Sequence, residues 1–163
     1  MGKKGREMAA EHVNVEELVD ALNKAYADEW IAFYYYWYAA QVAVGRGASA
    51  VANELKRIAS DELEHAEELA TRILQLGGTP IKDIGGLVES ANCPTVDLPE
   101  DPSDLDGVVE AVIEGERCAL EVYNKILKMI GAYYKEPTTF HLIRHIMDEE
   151  VGHEDTFENL LGE

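Results

Sequence analysis

The stretch DELEHAEELA, Asp61 to Ala70, decides how this 163-residue chain is read. Around it, Val51, Leu55, Ile58, Leu69 and Ile73 recur in the three-and-four steps of a helix with one buried face. The same count through the quoted stretch puts Glu62 and His65 where leucines belong. Asp61, Glu64, Glu67 and Glu68 fall off that stripe and are expected in solvent or at the edge of whatever the stripe holds. An isolated carboxylate in a helical core costs several kcal/mol unless it is paired, so Glu62 needs a partner that the stripe alone does not supply.

The same pattern extends in both directions. Asn14, with Glu17 three residues on, begins an earlier helix in the manner of a capping box. Its face runs Leu18, Leu22, Ala25, Glu29, Ala32, Tyr36, Ala39 and Ala43, and Gly45 and Gly47 end it. The helix of the quoted stretch continues to about Leu76, where Gly77-Gly78-Thr79-Pro80 stops it. From there to Pro102 the chain holds four of its five prolines and no sustained period. This segment reads as a crossover with a short helix around Ile84 to Ser90. Ser103, followed by Asp104 and Asp106, is expected to cap a third helix, with Leu105, Val109, Val112, Glu116, Ala119, Tyr123, Ile126 and Ile130 on its face. After Gly131 to Glu136, Pro137 suits the first turn of a fourth helix, which carries Ile143, Ile146, Glu150, His153, Phe157 and Leu160. Short, long and short connections predict an all-α fold: a four-helix bundle with one long crossover between helices two and three. Residues 14–163 are expected to form that domain and residues 1–13 a flexible tail.

Composition limits the function. Hydrophobic residues at 47% and charged residues at 28% are ordinary for a globular chain, but a formal net charge of −18 is not. Such a surface repels nucleic acid and attracts cations. Lys3, Lys4 and Arg6 are the only basic cluster, and DNA binding is not expected. No run reaches the roughly eighteen apolar residues of a membrane span. The nearest, WIAFYYYWYAA (Trp30 to Ala40), reads as a buried aromatic helix segment of a cytoplasmic protein. Cys93 and Cys118 are too few for a disulfide framework or a structural zinc site, and both two free thiols and one bridge remain open.

One feature of the four faces answers the question posed by Glu62. Each apolar stripe is interrupted near its middle by an acid, and the pattern repeats between chain halves. Glu29-x-x-Ala32-x-x-x-Tyr36 is followed by Glu62-x-x-His65; Glu116-x-x-Ala119-x-x-x-Tyr123 is followed by Glu150-x-x-His153. Two helical hairpins thus carry the same polar residues at the same depth. Four buried carboxylates would repel one another, and two divalent cations cancel their charge. Glu and His at i and i+3 converge on one locus, and oxygen-rich ligation with one histidine per metal suits iron or manganese. The predicted metal and catalytic residues are therefore Glu29, Glu62, His65, Glu116, Glu150 and His153. Tyr36 and Tyr123, two turns from Glu29 and Glu116, are candidates to bond a ligand or donate an electron, or else pack in the core. His141 and His145 lie off the His153 line, at the surface or in a cavity.

On these residues the chain resembles the ferritin-like superfamily over about residues 14 to 161, and its site pattern resembles bacterioferritin. The resemblance implies that Glu62 and Glu150 bridge two irons, that Glu29 and Glu116 are terminal ligands, and that His65 and His153 each serve one iron. Bacterioferritin takes haem through a methionine after the helix-two glutamate; Leu63 stands here, so haem is not expected. A bacterioferritin-like site on a chain ending ten residues after His153, without a fifth helix, looks like the Dps-like proteins called thioferritins. Cys93 and Cys118 match the paired cysteines of that family. Two positions along a helix turn by about 200°, so Cys118 should face away from the metals of Glu116, a neighbour of the site and not a ligand.

What the resemblance implies is a ferroxidase and iron store. Two Fe(II) are oxidised by hydrogen peroxide or O₂, and ferric mineral collects in a cage of twelve chains, protecting against oxidative stress. The alternative is a non-storing di-metal oxidoreductase, a rubrerythrin-like peroxidase or a manganese catalase.

Overall fold

In the computed structural model, which describes residues 2–162, six helices account for the regular structure: α1 (Lys3–Ala10), α2 (Val15–Val42), α3 (Ala48–Gln75), α4 (Ile84–Ser90), α5 (Leu105–Ile130) and α6 (Pro137–Leu161). Met1 and Glu163, the outer ends of the expected tail and domain, lie outside the described residues. The four long helices form the bundle, α2 with α3 and α5 with α6, and the crossover carrying α4 joins the two hairpins. Among the described residues there is no strand, and no helix is long and apolar enough to cross a membrane.

Local chemistry sets the ends of the helices. Asn14 Oδ1 accepts from the backbone N–H of Glu16 and Glu17, satisfying two of the donors that a helix start leaves free. Gly45 and Gly47 turn the chain from α2 into α3 at φ of 101° and 93°, a region that side chains with a Cβ avoid. Gly77, at φ 87°, closes α3 in the same way. The start of α5 differs from expectation. Asp104, not Ser103, is the cap, accepting from Gly107 N–H, while Ser103 donates both its N–H and its hydroxyl to Asp101.

Two further expectations are corrected. The segment read as a flexible tail is helical over Lys3–Ala10, and Ala9 is buried against Leu18, Leu22 and Ile73. The aromatic run of α2 is only partly buried. Tyr36 is in the core, but Tyr34, Trp37 and Tyr38 are 53%, 46% and 43% exposed. Consecutive aromatics on a helix point all round it, so one face of the run must look outward.

The core divides along the bundle axis. One end packs Leu18, Leu22, Leu69, Ile73, Ile126, Ile130, Ile143 and Ile146; the other packs Tyr36, Ala39, Leu55, Ile58, Val109, Val112 and Phe157. Between them lies a polar layer, and it is there that the interrupted stripes of all four helices meet.

Candidate metal centre

The polar layer holds Glu29 from α2, Glu62 and His65 from α3, Glu116 from α5, and Glu150 and His153 from α6, each no more than 4% exposed. The structure brings all six expected residues together. Their oxygen and nitrogen atoms form two overlapping groups, Glu29–Glu62–His65–Glu150 and Glu62–Glu116–Glu150–His153, the atoms of each within 4.8 Å of one another. Glu62 and Glu150 are common to both.

The hydrogen bonding within the layer is incomplete. Glu62 Oε1, His65 Nδ1, both Glu116 oxygens, Glu150 Oε1 and His153 Nδ1 are buried and make no hydrogen bond to any described residue. His65 Nδ1 lies 3.0 Å from Glu150 Oε1, and 3.6 Å from an oxygen of Glu29 and another of Glu62. His153 Nδ1 lies 3.2 Å from Glu62 Oε1 and 3.5 Å from Glu116 Oε2. The imidazoles face each other, centroids 5.9 Å apart. Buried polar atoms are almost always paired, so six that converge unpaired on one locus are a donor set shaped for something outside the protein. Four carboxylates with two imidazoles fit two divalent cations in both charge and ligand type.

Electrostatics within the layer follow from crowding. Burial, reinforced by the charges of Glu29 and Glu116, pushes Glu62 well above the carboxylate range. Burial and the charges of Glu62, Glu116 and Glu29 do the same to Glu150. Burial also opposes the charge on Glu29, but contacts with Glu62, His65 and Tyr123 more than offset it, and its pKa is lowered. For His65, burial alone would depress the ring; the carboxylates of Glu150, Glu29 and Glu62 reverse that and raise it. His153 is raised likewise against burial, by Glu116 and Glu150. The layer therefore holds protons where carboxylates crowd, and a cation entering it displaces them.

The tyrosines differ in their bonds. Tyr123 Oη donates to Glu29 Oε1. Tyr36 Oη donates to the Val112 carbonyl at 3.3 Å, beside Glu116. Burial first, then neighbouring carboxylates, raise both phenols, so they remain donors. Gly115 makes the room: a Cβ there would stand 2.7 Å from Tyr36 Oη. A cavity of about 30 Å³, lined by Glu29, Tyr36, Glu62, Glu150, Cys93 and Gly115 among others, adjoins the layer and has space for one or two water-sized solutes.

Cys93 and Cys118 form a disulfide, which fastens the crossover to α5. Neither sulfur belongs to the two ligand groups, as the helix phase of Cys118 requires. His141 and His145 border a separate groove with Glu64, Glu67 and Glu68.

Three acids near the layer were not legible in the helix stripes. Asp28, 7% exposed, accepts from Asn92 Nδ2 at 2.7 Å and from Cys93 N–H at 2.9 Å, tying the crossover to α2. Burial pushes its carboxyl up to about 6 despite those bonds. Asp61 and Glu149 approach the outer nitrogens of the histidines: Glu149 Oε2 is 2.8 Å from His65 Nε2, and Asp61 Oδ2 is 3.3 Å from His153 Nε2. A signal for the last two does exist, since an acid directly precedes each Glu-x-x-His. Asp28 has no such counterpart, because Gly115 precedes Glu116.

Comparison with known proteins identifies the family of this fold. The chain is 34% identical over 149 residues to the DNA protection during starvation protein of Pyrococcus furiosus, covering 91% of this chain and 79% of that protein. It is 29% identical over 144 residues to a bacterioferritin of Desulfovibrio desulfuricans, covering 88% and 74%. Among solved structures, a dodecameric thioferritin, the bacterioferritin-related protein of Bacteroides fragilis, superposes with a TM-score of 0.92 at 31% identity, covering 99% of this chain and 94% of that one. The model of the ferritin-like domain matches residues 19–163, a span that takes in the four bundle helices from early in α2 onward and with them all six residues of the polar layer, and the chain belongs to the ferritin-like family.

Proposed function

We propose that this protein is a ferroxidase and iron store. Two Fe(II) bind as substrate in the polar layer, hydrogen peroxide (or O₂) oxidises them, and the ferric product is mineralised inside a cage of twelve chains, which lowers free ferrous iron and peroxide together. The observation that carries this reading is the set of six converging, unpaired ligand atoms in two groups that share Glu62 and Glu150. Glu62 and Glu150 bridge the two ions, Glu29 with His65 completes one coordination set, and Glu116 with His153 the other.

The chain's residues have distinct tasks in this scheme. The carboxylates supply the negative charge that draws and holds two cations at a depth where water cannot compensate them. Paired Fe(II) ions can deliver together the two electrons that reduce one peroxide to water. Tyr123 holds Glu29 in place by its hydrogen bond. The small cavity beside Tyr36 and Gly115 supports access by a small oxidant. The net charge of −18 supports attraction of Fe(II) and disfavours a DNA-binding role. The outward aromatics of α2 and the likeness to a dodecameric thioferritin support assembly of copies.

Iron retention tests the proposal. The protein is loaded anaerobically with tens of Fe(II) per chain, peroxide is added, and size-exclusion chromatography is run with iron detection. Iron far above two per chain, co-eluting with a cage-sized particle, is the expected result. About two metals per chain on a small oligomer would instead identify a non-storing di-metal oxidoreductase, with manganese as the metal to test next. Replacing Glu62 or Glu150 by alanine should abolish rapid Fe(II) oxidation, and normal oxidation by both variants would remove these residues from the site.

A further inference from the structure

The two histidines that lie off the metal-centre stripe, His141 and His145, are four residues apart on α6 and so share one face of it. That face borders a groove of about 480 Å³ between α6 and α3, whose other wall carries Glu64, Glu67 and Glu68. The register of the two helices brings these groups level. α3 and α6 run antiparallel, with His65 meeting Glu149 and Arg72 meeting Thr139. Glu68 lies between His65 and Arg72, and His145 lies between Thr139 and Glu149. The two therefore stand across the groove from each other, with His141 one turn along.

Glu68 leaves this groove incomplete. Its Oε2 is enclosed and makes no hydrogen bond, and among the described residues no other carboxylate oxygen outside the central layer is left so. An enclosed carboxylate oxygen without a donor is costly, and it calls for a partner. Arg72, the cation on the groove's wall, does not supply one: its Nε, Nη1 and Nη2 are given to Thr139, Gln75 and Glu136. His145 Nε2 is 3.7 Å from Glu149 Oε2, beyond hydrogen-bonding reach, and its side chain is half exposed, so the ring is free to turn into the groove. Two imidazoles at i and i+4 chelate a transition-metal ion from one helix face. Carboxylates on the facing helix add charge and oxygen ligands of the kind such an ion accepts.

We propose that this groove is a further divalent-cation site, separate from the central layer, in which His141, His145 and Glu68 hold a first-row transition ion, Fe(II) in the working protein, on its way to the layer. The role in transit, though not the binding, rests on the ferroxidase reading above. Both histidines are exposed, so an ion here keeps contact with water and is held more weakly than one in the enclosed layer. Affinity thus rises from groove to layer, which is the direction a substrate ion has to travel.

Co(II) tests the site without turnover, because its visible absorption reports ligation while the ion stays unoxidised. Titration of the wild-type chain is expected to show two tightly bound Co(II) per chain and a third in a markedly weaker step. Anomalous difference density at the cobalt edge should place that third ion between His141 and His145. His141→Ala and His145→Ala should each weaken the third step at least about tenfold, no less than the loss of a partner behind a ligand costs, and leave the two tight steps in place. Glu68→Gln should weaken the same step. None of the three side chains is in the core, so thermal midpoints without metal should stay near wild type. In Fe(II) oxidation, His141→Ala should raise the iron concentration for half-maximal rate several-fold at an unchanged maximal rate, a split that a merely structural role for the histidine would not give. Two Co(II) per chain in the wild type, with no density in the groove, would overturn the site and leave the metal centre standing. A third step that survives both histidine variants would overturn their role as ligands. A third ion lost in His141→Ala, with the dependence on Fe(II) unchanged, would overturn the transit role. A single Co(II) per chain, seated in the groove, would support the site and overturn the central layer.

Discussion

Arg72 and Glu136 are buried, as are Glu62 and Glu150, but the two sets differ in what their hydrogen bonds leave over. Arg72 donates from Nε to Thr139 Oγ1, from Nη1 to Gln75 Oε1 and from Nη2 to Glu136 Oε1, while Thr139 N–H closes on Glu136 Oε2. That cluster is complete within the protein, and it clasps the C-terminal end of α3 to the start of α6. The central layer, a few turns along the same helices, leaves six ligand atoms unpaired. The difference separates a polar group buried to fix the fold from one buried to bind. The first is closed by its own side chains; the second is left open, as the proposed metal centre requires.

The comparison breaks most visibly at the bridging carboxylates. Glu62→Leu should reduce the rate of Fe(II) oxidation by at least about 100-fold, on the scale of losing a group essential to ligation and electrostatics, followed by stopped-flow absorbance. Without metal, the same substitution should raise the unfolding midpoint, because it removes one of four mutually repelling buried carboxylates. At the closed cluster the signs reverse. Arg72→Ala leaves Glu136 buried without its cation and should cost about 3–5 kcal/mol in denaturant unfolding, while Co(II) stoichiometry stays at its wild-type value.

Asp28 lies between these extremes, a buried acid with two donors but no cation. Its folded pKa, raised from 3.8 to about 6, means that the unfolded chain releases this proton at lower pH than the folded one. Stability from this residue is therefore fully present below about pH 4, is lost as pH rises toward 6, and is constant above. The loss is up to about 3 kcal/mol. Asp28→Asn removes this dependence, so the variant's unfolding free energy relative to wild type should rise across that window and then level off; a flat difference from pH 4 to 7 would show that the carboxyl titrates normally. The smallest expected effect is ligand stabilisation. Co(II) at about 100 times its dissociation constant should stabilise the wild type by about 2.7 kcal/mol and leave Glu62→Leu unmoved, which would mark the layer, and not the acidic surface, as the place where the ion acts.

Much of this was legible in one dimension. The stripes on four helices gave the bundle, because burying an apolar face imposes its period on the chain whatever the partners are. The polar interruptions were visible for the same reason: Glu29, Glu62, His65, Glu116, Glu150 and His153 occupy core positions of those stripes, and the repeat places them at one depth. Periodicity reports a residue's face but not its neighbour. Asp61 and Glu149 sit beside the stripe, and only the packing of α3 against α6 brings each to the opposite hairpin's histidine. Arg72 and Glu136, 64 residues apart, carry no mark of their meeting. The aromatic run misled because a helix turns consecutive rings through every direction, and burial of Tyr36 says nothing of Trp37.

The sequence by itself thus determined the four bundle helices, their connections and the six polar residues that face inward, since each depends on spacing along a single helix. Tertiary structure alone decided the joining of Cys93 to Cys118, the anchoring of the crossover by Asp28, the helical docking of Lys3–Ala10, and the approach of Glu149 to His65 and of Asp61 to His153. Those depend on distances between segments far apart in the chain, which are fixed only when the two hairpins close on one another.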